Sequence, residues 1–136
     1  MAKSTGLPYF PLMCQLDDKI DLIEAEYGLT GFAVIIKLFQ KIYGGEGYFC
    51  LWTSEVQLLL SRQLAIDTKL LKKIADSAAE RGIFSQELLK THCILTSHGI
   101  QERYLEAASR RKKVVLRKEY LLLSMGEIPT NVSITE

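Results

Sequence analysis

The stretch TSEVQLLLSRQLAIDTKLLKKIADSAAERG, residues 53–82, decides the fold. Thr53 or Ser54 is placed to cap a helix, with Ser54 and Gln57 at capping-box spacing and Val56, Leu59 and Leu60 expected to face inward. After Gln63 to Ile66, Asp67 caps a second helix whose Leu70, Leu71, Ile74, Ala75 and Ala78 form an inward stripe, and Gly82 ends it. Two short helices joined by a tight turn make a helix-turn-helix pattern.

Working outward toward the N-terminus, residues 48–52 (YFCLW) form a short aromatic, β-prone run that predicts a strand. Before it, a helix starting at Thr30 carries Phe32, Ile35, Ile36, Phe39, Ile42 and Tyr43 at 3.6-residue spacing and is expected to be the core helix. A preceding helix, capped by Asp17 or Asp18 and stopped at Gly28, shows Ile20, Ile23 and Tyr27 on one face and acidic residues on the other. Met1 to Leu16 reads as an extended arm with Tyr9, Phe10 and Leu12 available for docking.

Toward the C-terminus, Ile83–Ser85 and Ile94–Thr96 are strand candidates separated by room for a single helical turn, which predicts a hairpin with a thick tip. A strand, a helix pair and a hairpin follow one another in the order of a winged helix. The expected fold is therefore mainly α with a small β-hairpin, a winged helix-turn-helix. Ser97 begins a further helix carrying Ile100, Tyr104 and Ala108 on one side. Val114 to Met125 reads equally as strand or helix, and Gly126 to Glu136 as a frayed tail. The expected division is an arm over 1–16, a winged-helix domain over 17–113 and an extension or start of a linker over 114–136.

Composition narrows the function classes. The chain has 136 residues, 48% hydrophobic and 24% charged, the usage of an ordinary globular domain with one core. No apolar run approaches the roughly 20 residues that span a bilayer, and no signal sequence is visible, so a cytoplasmic protein without membrane contact is expected. Cys14, Cys50 and Cys93 are odd in number and free of any CxxC pair, which argues for reduced thiols in or near the core. The net charge of +1 hides two opposite clusters, Asp17, Asp18, Asp21, Glu24 and Glu26 against Arg110, Arg111, Lys112, Lys113, Arg117 and Lys118.

As the second helix of the pair, Asp67 to Arg81 is the one that would enter a major groove. It leaves Lys69, Lys72, Lys73, Ser77 and Arg81 outside, while Arg110, Arg111, Lys112 and Lys113 form a run suited to phosphate. Solvated helix faces also carry lysines, and cations also settle at helix C-termini. His92, Cys93 and His98 lack a fourth ligand at metal-site spacing. Nucleophile-elbow, Walker and dinucleotide-binding patterns are absent. No enzyme activity, cofactor or metal is expected.

Residues 17–52, DDKIDLIEAEYGLTGFAVIIKLFQKIYGGEGYFCLW, resemble the N-terminal domain of DnaD-like replication-initiator proteins of phages and prophages. So do residues 80–113, ERGIFSQELLKTHCILTSHGIQERYLEAASRRKK, and EYLL at 119–122. The resemblance implies a winged-helix module that binds DNA or organises a replisome, with Asp67–Arg81 as recognition helix and Ile83–Thr96 as wing. Lys90 is the one basic residue of that wing. The resulting expectation is a DNA-binding module that meets replication proteins and self-associates through its arm and the Val114–Met125 segment. The rival is a protein-docking module without direct DNA contact.

Overall fold

The computed structural model describes residues 5–11 and 18–136. The expected cap Asp17, the docking residue Leu12 and Cys14 lie outside the described residues. The fold is mainly helical, with a small antiparallel two-stranded ladder. In order it contains α1 (Asp18–Gly44), β1 (Cys50–Leu51), α2 (Ser54–Leu64), α3 (Thr68–Glu80), α4 (Gln86–His92), β2 (Ile94–Leu95), α5 (His98–Ala107), β3 (Val114–Arg117) and β4 (Val132–Thr135).

The two N-terminal helices expected from the sequence both form and meet in a kink at Gly28; they are labelled together as α1. Gly28 has φ 72° and ψ −162°, a backbone region that only glycine enters cheaply, so the first helix stops there and a second sets off beyond the kink. Beyond the bend Val34, Ile35, Leu38, Phe39, Ile42 and Tyr43 are all buried, which makes this half of α1 the centre of the core. Ile36 is only partly buried.

The helix pair forms as read from the sequence. Thr53 caps α2 by accepting from the Val56 N–H at 3.3 Å, so the capping residue is Thr53 and not Ser54. Asp67 caps α3 by accepting from the Lys69 N–H at 2.8 Å. Leu71, Ile74, Ala75 and Ala78 are buried, and Leu70 is half-buried. The expectation for Leu59 fails: it is 65% exposed, because α2 turns Leu60 and Ser61 inward and packs mainly on α3.

The wing differs from expectation. β1 pairs antiparallel with β2, Cys50 opposite Leu95 and Leu51 opposite Ile94, but Ile83–Ser85 is not a strand. The Ile83 N–H is taken by Ala78 O at 2.9 Å, closing the C-terminal end of α3, so it is not free to join a ladder, and Ile83 and Phe84 are both buried. Ser85 then caps α4 by accepting from the Leu88 N–H at 3.2 Å, and the Ser85 N–H keeps one bond to Thr96 O at 2.7 Å. The order is compatible with a winged helix-turn-helix in which α4 fills the place of the hairpin.

The C-terminal segment is built in. β3 and β4 pair in parallel, with Val114 opposite Val132 and Arg117 opposite Thr135, so Gly126–Glu136 is no frayed tail. Gln101, fully buried on α5, ties this segment to the body. Its Nε2 donates to Tyr120 O at 2.8 Å and to Thr96 Oγ1 at 3.2 Å, and its Oε1 accepts from the Leu122 N–H at 2.9 Å. Val114, Leu116, Tyr120 and Leu123 are buried, so most of the apolar surface expected to drive self-association is covered within the chain. In the described part of the arm, residues 5–11, Gly6 and Leu7 are buried. The Leu7 N–H donates to Tyr43 O at 2.6 Å and Phe10 stacks on Tyr43 at 5.0 Å between ring centres, while Tyr9 stays 82% exposed.

Of the described cysteines, Cys50 is buried and Cys93 exposed. Burial pushes the Cys50 thiol up to about 12 from 9.0, against the smaller opposing pulls of Lys41 and the Leu95 backbone. The folded chain thus keeps a proton that the unfolded chain releases near 9.0, so this contribution to stability is full below that pH and fades as pH rises toward 12. At about pH 8, iodoacetamide is expected to modify Cys93 quickly and Cys50 only after unfolding. Peptide mapping showing equal rates at the two cysteines would contradict this placement.

Candidate nucleic-acid interface

Helical geometry divides the polar residues of α3 into two sets. Lys69, Lys72, Lys73, Asp76 and Glu80 point to solvent, opposite the buried stripe. Ser77 and Arg81 sit at the edge that faces α1. Ser77 Oγ and the Tyr27 hydroxyl share a hydrogen bond of 2.6 Å, and Arg81 pairs with Glu26 at 3.3 Å. These two residues join α3 to α1, so the exposed basic set of α3 contracts to its N-terminal half. Lys69, Lys72 and Lys73 make no ion pair among the described residues. Cations at this end oppose the helix dipole, whereas an anion there is favoured by both.

The second basic group, Arg110–Lys113, does not continue α5 but forms the turn between α5 and β3. Arg110, Lys112 and Lys113 are exposed. Arg111 is turned onto the arm, donating from its two terminal nitrogens to Thr5 O at 2.8 Å and Gly6 O at 2.7 Å. Tyr104 donates to the same Thr5 carbonyl at 2.9 Å. Below the turn, Asn131 Nδ2 donates to Ala108 O at 3.3 Å and Arg111 O at 3.0 Å, giving the basic loop a fixed shape. Asn131 fixes the basic turn and Tyr27 fixes α3 through Ser77, roles that local sequence does not show. Their partners lie 20 and 50 positions away, respectively.

The trio His92, Cys93 and His98 is not brought together. The His92 ring meets Thr91 Oγ1 at 2.8 Å, and Cys93 Sγ donates to Trp52 O at 2.8 Å. His98 instead sits between two carboxylates, Nδ1 at 3.2 Å from Glu102 and Nε2 at 2.9 Å from Glu127. These three exposed side chains are of metal-ligand type, with their ligand atoms within 4.8 Å of one another. The Ser124 backbone N–H, then His98 and the Ser124 hydroxyl, hold the Glu127 carboxyl below its usual range. An open cavity of about 400 Å³ beside this group is lined by Glu102, Glu106, Glu127, Ser109 and apolar neighbours. Its acidic wall repels phosphate and sets this side apart from the basic one.

The class so defined is a small, mainly helical domain with a helix-turn-helix pair and a short β-ladder. Among the described residues no helix is long and apolar enough to cross a membrane. The chain belongs to the Lin1244/Lin1753-like family, whose N-terminal domain matches residues 9–100. It is 42% identical over 125 residues to the uncharacterized phage-related protein Lin1244/Lin1753 of Listeria innocua serovar 6a, a match that covers 90% of this chain. The chain spans 41% of that relative's length. No solved structure matches it.

Proposed function

We propose that the chain is the DNA-binding module of a phage-like DNA replication initiation protein, of the DnaD-like type its sequence resembles. The observation that supports this is the set of exposed cations Lys69, Lys72 and Lys73 on the outer face of α3, without an ion partner among the described residues. Helix α3 is the second helix of its pair and the one that such folds insert into the major groove. Arg110, Lys112 and Lys113 supply further phosphate contacts. Ser77, Arg81 and Arg111 act by holding the scaffold. The module works by binding, takes no cofactor and carries out no catalytic step.

A duplex-DNA titration at two salt concentrations tests this reading. Lys72→Glu with Lys73→Glu is expected to weaken binding by about tenfold or more at low salt and to flatten the salt dependence, since each phosphate contact releases counterions. The same charge change at Lys37 and Lys41, exposed on α1, is expected to cost less than about threefold, because long-range charge is screened within roughly 10 Å. Equal binding by wild type and the α3 variant would remove the assignment. The protein-docking reading is favoured by Leu58 and Leu59, both about half exposed or more on α2. Under that reading, replacing these leucines with Ser lowers partner capture and leaves DNA affinity unchanged.

A further inference from the structure

The first half of α1 carries Asp18, Asp21, Leu22 and Ala25 along one outward stripe, with Glu24 beside Asp21. All five are exposed, Leu22 to 47%, and Leu29 just past the bend is 77% exposed. None of the three acids has an ion partner among the described residues, whereas Glu26 pairs with Arg81. The turn after α5 has the opposite character. Arg110, Lys112 and Lys113 are exposed, and Val115, 45% exposed, shares the outward side of β3 with Arg117. Each patch is an aliphatic centre in a charged rim, the usual layout of a modest protein interface, and the two rims have opposite sign.

Among the described residues no ion pair joins the two patches within one chain. Arg111, in the middle of the basic turn, is bonded to Thr5 and Gly6, and Gly6 lies against the carbonyls of Gly44 and Gly45 at the C-terminal end of α1. The acidic stripe occupies the other end. Roughly 20 Å of helix, Leu29 to Gly44, runs from the bend to that C-terminal end. Complementary surfaces left unjoined within one chain can be joined by a second copy.

We propose that this domain self-associates by docking the acidic face of α1, Asp18, Asp21, Leu22 and Glu24, on the Arg110–Val115 turn of a second copy. The contact is between unlike surfaces and forms without DNA, so it stands or falls independently of the DNA-binding reading. Because DNA phosphates and the acidic stripe would compete for Arg110, Lys112 and Lys113, assembly through this contact leaves α3 as the free basic surface.

Sedimentation equilibrium of the DNA-free chain tests the contact. Wild type is expected to associate at about 50 mM salt and to dissociate substantially at about 500 mM, where the Debye length falls to about 4 Å. Asp21→Lys with Glu24→Lys, and separately Lys112→Glu with Lys113→Glu, should each weaken association about tenfold or more, since like charges then face one another. Two results carry the proposal: the four substitutions combined in one chain restore association to within about threefold of wild type, and the two double variants associate when mixed. Restored association also shows that the combined variant is folded. A wild type that is monomeric at low salt, a double variant that associates like wild type, or a combined variant that stays apart would each overturn it.

Discussion

Gln101→Leu is expected to lower stability by about 3–5 kcal/mol and the melting temperature by about 10 °C or more. The leucine fits the volume but offers no polar atom to Tyr120 O, Leu122 N–H or Thr96 Oγ1, all of which Gln101 serves from a fully buried position. Thr96 keeps its bond to Tyr48 O, so the loss falls on the two backbone groups after β3. A buried backbone group left without a partner costs about 1–3 kcal/mol. The effect should be directional: amide protection is lost first at Leu121–Leu123, and residues 118–136 become open to protease before the helices do. Hydrogen exchange with unchanged protection at Leu122 would show that the tie is not made by Gln101.

The second large effect is expected from Gly47→Ala, at about 3 kcal/mol or more, from two causes that add. Gly47 has φ 98°, a conformation in which an alanine is strained. Its missing Cβ also points straight into the Tyr104 ring, inside van der Waals contact with Cε1. Tyr104 has no room to withdraw, since it stacks on Tyr48 at 5.8 Å between ring centres and donates to Thr5 O. The arm should therefore loosen along with the ring, and Arg111 lose its seat. Gly28→Ala serves as the comparison, because Gly28 also has positive φ but open space around its Cβ position. Its cost should stay at about 1–2 kcal/mol, the backbone share alone. Chemical denaturation that ranks the two variants equally would mean that the contact with Tyr104 contributes nothing.

These two sites show where legibility ended. The elements themselves were readable because their signals are short-ranged. Thr53, Asp67 and Ser97 each accept from an N–H two or three positions on, and the apolar stripes of α1 and α3 repeat within a few residues. The lysine face of α3 follows from the same periodicity, since placing Leu71, Ile74 and Ala78 inside leaves Lys69, Lys72 and Lys73 outside. The bend at Gly28 was announced by the glycine, although whether the helix would end or resume there depends on what α1 packs against.

What tertiary structure decided is the use made of residues whose partners are distant. Ser77 and Arg81 read as two more groove-facing residues until Tyr27 and Glu26, 50 and 55 positions away, take them up. Arg111 looks like its neighbours in a basic run, and the carbonyls that claim it lie more than 100 positions earlier. The segment after Lys113 was ambiguous because a run of alternating or mixed apolar residues suits strand or helix equally; only the parallel partner β4 settles it. The first strand of the expected wing did not form, because the Ile83 N–H closes α3 on Ala78 O and Ser85 turns to cap α4, while Phe84 is drawn against Phe39 of α1. Caps and stripes are chemistry within one or two turns of chain, whereas choosing between a free cation and a bonded one depends on contacts that exist only once the chain has closed on itself.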